Sequence, residues 1–417
     1  MKNAVLIHGA RQLITLRGPS GPRCGIALGE LGIIQDGALL VVDGRIEAVG
    51  QGRRIENLAA ARDAAEIDAA RCIVLPGFVD SHTHLVSGHP ARSEFESHDD
   101  VAHTGGVLHS SVRDLRLTPS RTLERRARLL MDAFIRHGTT TLEAKTGYGL
   151  DRRGEMKTLR VLAKLAGSPL DVIPTYLGAG AVPPEFEGRG HEYIDWVLAE
   201  MLPHIARRKL ARFAGVRCGQ GAFSLEDARR YLEAARRLGL GLKVHADQFA
   251  HTGAVRLAVE LGAISAGHLE HAGEDDISIL AQSSTIAILV PGTAFYLGLK
   301  RHAPARALIG HGAAVALATG FNPDTSPTCS MPMVVALACS QLRMTPAEAL
   351  SAATINGAHA LGCADRVGSL EAGKQADLIM LDVPDYRDIP CHFGENLVTM
   401  TMKRGAILYK RAEVRCP

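Results

Sequence analysis

What this 417-residue chain lacks narrows its class before any motif is read. It has eight cysteines (Cys24, Cys72, Cys218, Cys329, Cys339, Cys363, Cys391, Cys416) but no C-x-x-C pair or other close spacing, which fits a reducing cytoplasm and mostly buried free thiols. No stretch approaches the ~18 apolar residues of a membrane-spanning helix. The start, Met-Lys-Asn-Ala-Val-Leu-Ile-His-Gly, turns polar too soon for a signal peptide. A soluble, cytoplasmic protein with no membrane association is expected. Charge is lacking too: the net value is only +3, and Lys and Arg are scattered rather than striped, which excludes a nucleic-acid surface. The basic stretches Arg121 to Arg128 and Arg207 to Arg212 read as solvated helix faces. No internal repeat or low-complexity segment stands out.

What is present is a β-α alternation. Between residues 74 and 322 short apolar runs alternate with amphipathic segments such as Thr122 to Arg136 and Leu225 to Leu238. Eight candidate strands end near His84, Tyr148, Gly180, Gly221, Gln248, Leu269, Gly292 and Asn322. Eight such units predict a closed (β/α)₈ barrel of the TIM type. The flanks are rich in short strands and Gly-containing turns such as Val42-Asp43-Gly44-Arg45 and Lys403-Arg404-Gly405. They predict a small discontinuous β-sandwich domain built from residues 1–72 and 364–417, with the barrel over 73–363.

In a barrel of this kind the reacting groups project from the C-terminal ends of the strands. The first candidate strand carries His82 and His84, two apart and so on one face if the chain stays extended there. With His245 from the fifth they make a ligand set for a divalent zinc or iron, leaving a position open for water. His268, one strand on, is placed to polarise a carbonyl or shuttle a proton, and Arg92, Tyr148 and Asn322 are candidates to orient a polar or anionic substrate. Lys145 reads as a buried ion-pair partner of Glu143 rather than as a reacting group. The eighth candidate strand offers Asn322 and Asp324 but runs through Gly320, which supplies no ligand.

These residues sit in runs with a pattern of their own: Pro76-Gly77-Phe78-Val79-Asp80 before His-Thr-His, Glu143 to Leu150, Val244-His245-Ala246-Asp247, Phe321-Asn322-Pro323, Arg343-Met344-Thr345-Pro346, and Gly368-Ser369-Leu370 followed by Ala376-Asp377-Leu378. Over nearly the whole chain this combination resembles the imidazolonepropionase family of the amidohydrolase superfamily. The resemblance implies hydrolysis of the cyclic amide 4-imidazolone-5-propanoate to N-formimidoyl-glutamate, a step of histidine degradation, with one zinc or iron ion and a homodimer. It puts His82, His84 and His245 on metal-ligand positions, His268 beside the reacting carbonyl and Tyr148 against the substrate.

The departures from that pattern cluster at the barrel mouth. The family's Asp ligand is Gly320, its Glu after His-Ala-Asp is Gln248, the Asp before the sixth-strand histidine is Gly267, the third-strand histidine is Gly180, and Arg92 stands one position late. Loss of the Asp ligand implies a weakened or absent ion. Three readings follow. In a working hydrolase, Asp324 or His268 serves as base and Gln248 hydrogen-bonds the ring without accepting a proton. Alternatives are a degenerate paralogue acting as a binding or assembly subunit, and a related hydrolase with another substrate, such as one deaminating a purine-like ring.

Overall fold

The computed structural model describes residues 4–88, 105–167, 169–219 and 222–412. Arg92, and Gly221 at the expected end of the fourth barrel strand, lie outside them. Sixteen strands occur in the described residues: β1 (Ala4–Ile14), β2 (Ile33–Val42), β3 (Arg45–Gln51), β4 (Ala65–Asp68), β5 (Ile73–Pro76), β6 (Phe78–Asp80), β7 (Thr139–Lys145), β8 (Asp171–Ala179), β9 (Phe213–Arg217), β10 (Gly241–Ala246), β11 (Ser265–His268), β12 (Ile286–Leu289), β13 (Val315–Leu317), β14 (Leu378–Leu381), β15 (Val398–Lys403) and β16 (Ala406–Lys410).

Strands β6 to β13 form one sheet in sequence order, every neighbouring pair parallel. The sheet comes round on itself where a bridge joins Thr83 to Phe321. This is the eight-stranded α/β barrel that the β-α alternation implied. The helices between strands bury one stripe each. Ser120–Arg136 turns Leu123, Ala127, Met131 and Phe134 inward at three- and four-residue spacing. Leu225–Arg237 begins where Ser224 accepts a hydrogen bond from the backbone of Asp227, a cap worth ~1 kcal/mol.

Both chain ends contribute to a second, mixed sheet, ordered β16-β15-β14-β5-β1-β2-β3 with β4 beside β1. It folds over a core of its own that includes Ile7, Leu13, Leu39, Val41, Val74, Leu378, Met400 and Met402. The turns at Gly44 and Gly405 meet, the Cα of Gly44 lying 3.1 Å from where a Cβ on Gly405 would stand. Ile73, Leu75, Ile379 and Leu381 face the other way, into the main core shared with the barrel. Alternation along β5 and β14 thus serves two cores at once.

One expectation is corrected in detail. The first barrel strand was expected to run extended to His84, yet its ladder ends at Asp80. The physical reason is the buried Asp80 carboxylate. It accepts from the backbone N–H of Thr319 at 3.1 Å, the Thr319 hydroxyl at 2.5 Å and the backbone of His82 at 3.4 Å. Side-chain hydrogen bonds from Asp80 thus supplement the backbone pairing between the first and last segments, which is confined to the Thr83–Phe321 bridge and the 2.7 Å bond from His84 N–H to Phe321 O. Tyr148, Gln248 and Asn322 similarly fall past the last ladder residues Lys145, Ala246 and Leu317, on connecting turns.

Candidate active site at the barrel mouth

The strand ends bring histidines from three separate segments together. His82 lies 4.6 Å from His245 and 5.1 Å from His268, and His245 lies 5.3 Å from His268, measured between ring centroids. One ligand atom from each of the three lies within 4.8 Å of the others. His84 stands 6.2 Å from His82 and turns its ring edge-on to Tyr148 at 5.3 Å. The imidazoles that gather are thus His82, His245 and His268, with His84 to one side.

Register and backbone explain the convergence. His245 on β10 pairs with Gly267 on β11 and Arg217 on β9, so these three project to the same side. A Cβ on Gly267 would stand 3.3 Å from His82 Nδ1, which fixes that side as the interior. His268 pairs with Ala246 and in an extended strand would face away. It adopts φ +81, which turns it from the strand direction and accompanies its approach to the cluster. A non-glycine residue held at positive φ stores of order 1–3 kcal/mol of strain, a cost seen chiefly at working sites.

The electrostatics keep the imidazoles neutral. Burial first, then the Lys145 charge, holds His84 down to about 3 and His245 well below the ordinary imidazole value. Burial and then Arg217 take His268 to about 3. Neutral rings keep a nitrogen lone pair each. His84 Nδ1, His245 Nε2 and His268 Nδ1 are buried without a hydrogen-bond partner. His245 and His268 thus combine an orphaned ring nitrogen with membership of the group whose ligand atoms lie within 4.8 Å, a neutral donor set that fits a divalent metal.

The remaining candidates take different places. Asp324 accepts 2.8 Å hydrogen bonds from Ser111 on one oxygen and from Tyr148 on the other, so it joins the mouth through Tyr148 rather than within the histidine group. Asn322 is committed to its own loop. Its amide donates to Gly320 O and Thr325 Oγ1, and its carbonyl accepts from the backbones of Asp324 and Thr325. Gln248 lines a small pocket with Arg217, His245 and Thr252. Gly320 has φ +64, and a Cβ there would meet Thr293 and Val290 at 3.2 Å, so the backbone itself is shaped for glycine. Lys145 is the buried ion-pair partner of Glu143 that the sequence suggested, and Lys243 lies 3.1 Å from the same carboxylate.

Sequence reasoning missed Arg217, Glu270 and Ser111. Arg217 ends β9 in the mouth, and a basic residue closing a candidate strand was the available signal. Glu270 stands 4.0 Å from His268 Nδ1, and burial pushes its carboxyl up to about 8. Ser111 precedes no recognisable motif, and its role depends wholly on the fold. Elsewhere, Asp247, His251 and Asp276 also come close together, the exposed His251 sitting 3.2 Å from Asp276 and 3.7 Å from Asp247.

With the geometry in place, comparison with known proteins is informative. Residues 73–408 match the model of the amidohydrolase family. A curated imidazolonepropionase of Solibacter usitatus (strain Ellin6076) is 42% identical over 419 residues, covering 99% of this chain and 100% of that protein. One from Geobacillus kaustophilus (strain HTA426) is 41% identical over 420 residues, covering 98% of this chain and 99% of its own. Among solved structures, a triazine hydrolase variant superposes with a TM-score of 0.77 at 19% identity over 98% of this chain and 95% of its own. A zinc-bound adenosine deaminase from Xanthomonas campestris gives 0.67 at 18% identity over 97% and 93%. These two support the fold alone. The family match across most of the chain and the near full-length likeness to curated relatives place this protein in the amidohydrolase family, among the imidazolonepropionases.

Proposed function

We propose that this protein is an imidazolonepropionase, hydrolysing the cyclic amide of 4-imidazolone-5-propanoate to N-formimidoyl-glutamate in histidine degradation. The observation that carries the reading is the gathering of His82, His245 and His268, with orphaned nitrogens on the last two, at the mouth of a barrel whose relatives are curated under that name. His82, His245 and His268 would hold one divalent zinc or iron ion, with His84 beside them. Such an ion supplies Lewis acidity toward water and the ring carbonyl.

The chain's own groups do the rest. In the hydrolysis a water oxygen bonds to the ring carbonyl carbon, the carbon–nitrogen bond breaks, and the departing nitrogen gains a proton. Tyr148 donates its hydroxyl proton to Asp324, which leaves its oxygen lone pairs to accept from a ring N–H. Asp324, fixed by Ser111 and Tyr148, is the carboxylate available to take a proton through the Tyr148 hydroxyl. Gln248 offers an amide donor to a ring carbonyl or nitrogen. Placement of so many groups on turns around one rigid barrel is what orients a small ring without large motion. A homodimer and a cytoplasmic location accompany this reading. No helix among the described residues is long and apolar enough to cross a membrane.

The test is direct. Protein loaded with zinc or with ferrous iron is expected to consume 4-imidazolone-5-propanoate and release N-formimidoyl-glutamate. His245→Ala is expected to lose both the bound ion and the turnover. Metal-loaded protein that leaves the substrate intact would overturn the proposal.

A further inference from the structure

We infer that Arg217 is the residue that binds the carboxylate of the substrate's propanoate arm. The inference rests on the function just proposed and adds a specificity residue to it.

Arg217 is the last residue of β9 and pairs with His245 in a parallel ladder. Ladder partners project to the same face, so its side chain enters the mouth alongside that imidazole. It lines the small pocket next to His245 together with Gln248, Gly219 and Thr252. Its charge also reaches the other groups of the mouth. It is among the causes that hold His245 and His268 below the ordinary imidazole range, and it acts on Tyr148.

The telling feature is what Arg217 does not touch. The other deep-set cations have partners. Arg23 donates to the carbonyls of Leu16 and Glu30. Lys145 and Lys243 share Glu143. Lys403 reaches Asp171 and Asp377 at 2.8 and 2.6 Å. For Arg217, no hydroxyl, carbonyl or carboxylate among the described residues accepts a hydrogen bond from the guanidinium, and Tyr148 is the only neighbour whose charge raises its pKa. Asp324, the carboxylate clamped at the mouth, receives Ser111 and Tyr148 instead.

Arg217 is partly buried, and a guanidinium drawn even partly out of water is disfavoured unless an anion pairs with it. A chain that pairs its other buried cations keeps this one free where a ligand can supply the anion. Its planar fork of N–H donors matches a carboxylate with two parallel hydrogen bonds. Gly219, two residues on, adds no side chain to that corner.

The experiment compares wild type, Arg217→Met and Arg217→Lys on 4-imidazolone-5-propanoate. Loss of a charge-assisted pair of ~1.5–3 kcal/mol is expected to raise KM about 10- to 100-fold in Arg217→Met while kcat changes only a few-fold, with Arg217→Lys recovering part of the loss. A KM within twofold of wild type in a folded Arg217→Met protein would overturn the inference. A binding measurement separates it from the proposed function. Titration calorimetry of the metal-loaded proteins with 3-(imidazol-4-yl)propanoate and with its uncharged amide is expected to show wild type preferring the acid at least ~10-fold, and Arg217→Met erasing that preference. Equal binding of acid and amide by wild type, or an undiminished preference in Arg217→Met, would overturn the inference even if turnover is confirmed. A preference lost in Arg217→Met would sustain it even if turnover is absent.

Discussion

The hydroxyl of Tyr148 donates a 2.8 Å hydrogen bond to Oδ2 of Asp324, tying the turn after β7 to the loop after β13 across the barrel mouth. Ser111, in the helix Gly105–Leu117, fixes the other carboxylate oxygen at the same distance. The carboxylate is thus clamped from two separate elements. Tyr148→Phe removes one donor and leaves a buried acceptor short of a partner, which costs about 1–3 kcal/mol. The expected result is a lower urea midpoint with an unchanged m-value, together with reduced kcat/KM on the imidazolone. A Tyr148→Phe protein as stable as wild type would show that the bond contributes nothing to the fold.

Gly320 invites a restoration that the backbone resists. At φ +64 any other residue is strained by roughly 1–2 kcal/mol, and a Cβ would press Thr293 and Val290 at 3.2 Å. Gly320→Asp is therefore expected to lower the melting temperature by about 1–4 °C and to leave the metal content per chain no higher than in wild type. The paired measurements are differential scanning calorimetry and metal analysis of the purified protein. A variant that melts higher and holds more metal would mean that the loop can refold around the carboxylate.

How far the sequence reached depends on which residues act locally. The barrel was legible because each β-α unit carries its own periodicity, and the His-Thr-His run stood out because two imidazoles two apart is a local signal. The pairing of β1 with β5 and of β5 with β14 was legible only as texture, since Ile73 to Pro76 looks like any buried strand until Leu378–Leu381 arrives beside it. The histidine group shows the limit most clearly. His268 joins His82 and His245 with its own backbone at φ +81, and no pattern of side chains foretells a positive φ at histidine. Arg217 escaped notice for a related reason. Its significance is the absence of a hydrogen-bond partner among the described residues, which only assembled neighbours can reveal.

Beneath the histidines, Glu143 holds two buried ammonium groups, Lys145 and Lys243, with Thr175 donating at 2.5 Å to the same carboxylate. Burial brings Lys145 down to about 8 even with Glu143 beside it. Removing the shared anion leaves both cations without charge compensation, so Glu143→Gln is expected to cost about 3–5 kcal/mol. Lys243→Met leaves the Glu143–Lys145 pair intact and is expected to cost less. Denaturant unfolding of the two variants tests this order, and a Lys243→Met protein weaker than Glu143→Gln would mean that Glu143 is not the hub of the cluster.

The free thiols give a last prediction that does not depend on the reaction. Burial pushes Cys218 and Cys329 up to about 12 and Cys363 up to about 11, whereas Cys391 is exposed. The thiolate is the reactive form, and a thiol with a pKa near 11 is ionised to only ~10⁻³ at pH 8. Brief alkylation of native protein with iodoacetamide at pH 8 is therefore expected to label Cys391 and to spare Cys218, Cys329 and Cys363. In denaturant all four should react alike. Peptide mass spectrometry reads the pattern, and early labelling of Cys218 would be the most informative failure, because that residue adjoins Arg217 at the mouth and its modification would mean that β9 opens to solvent there.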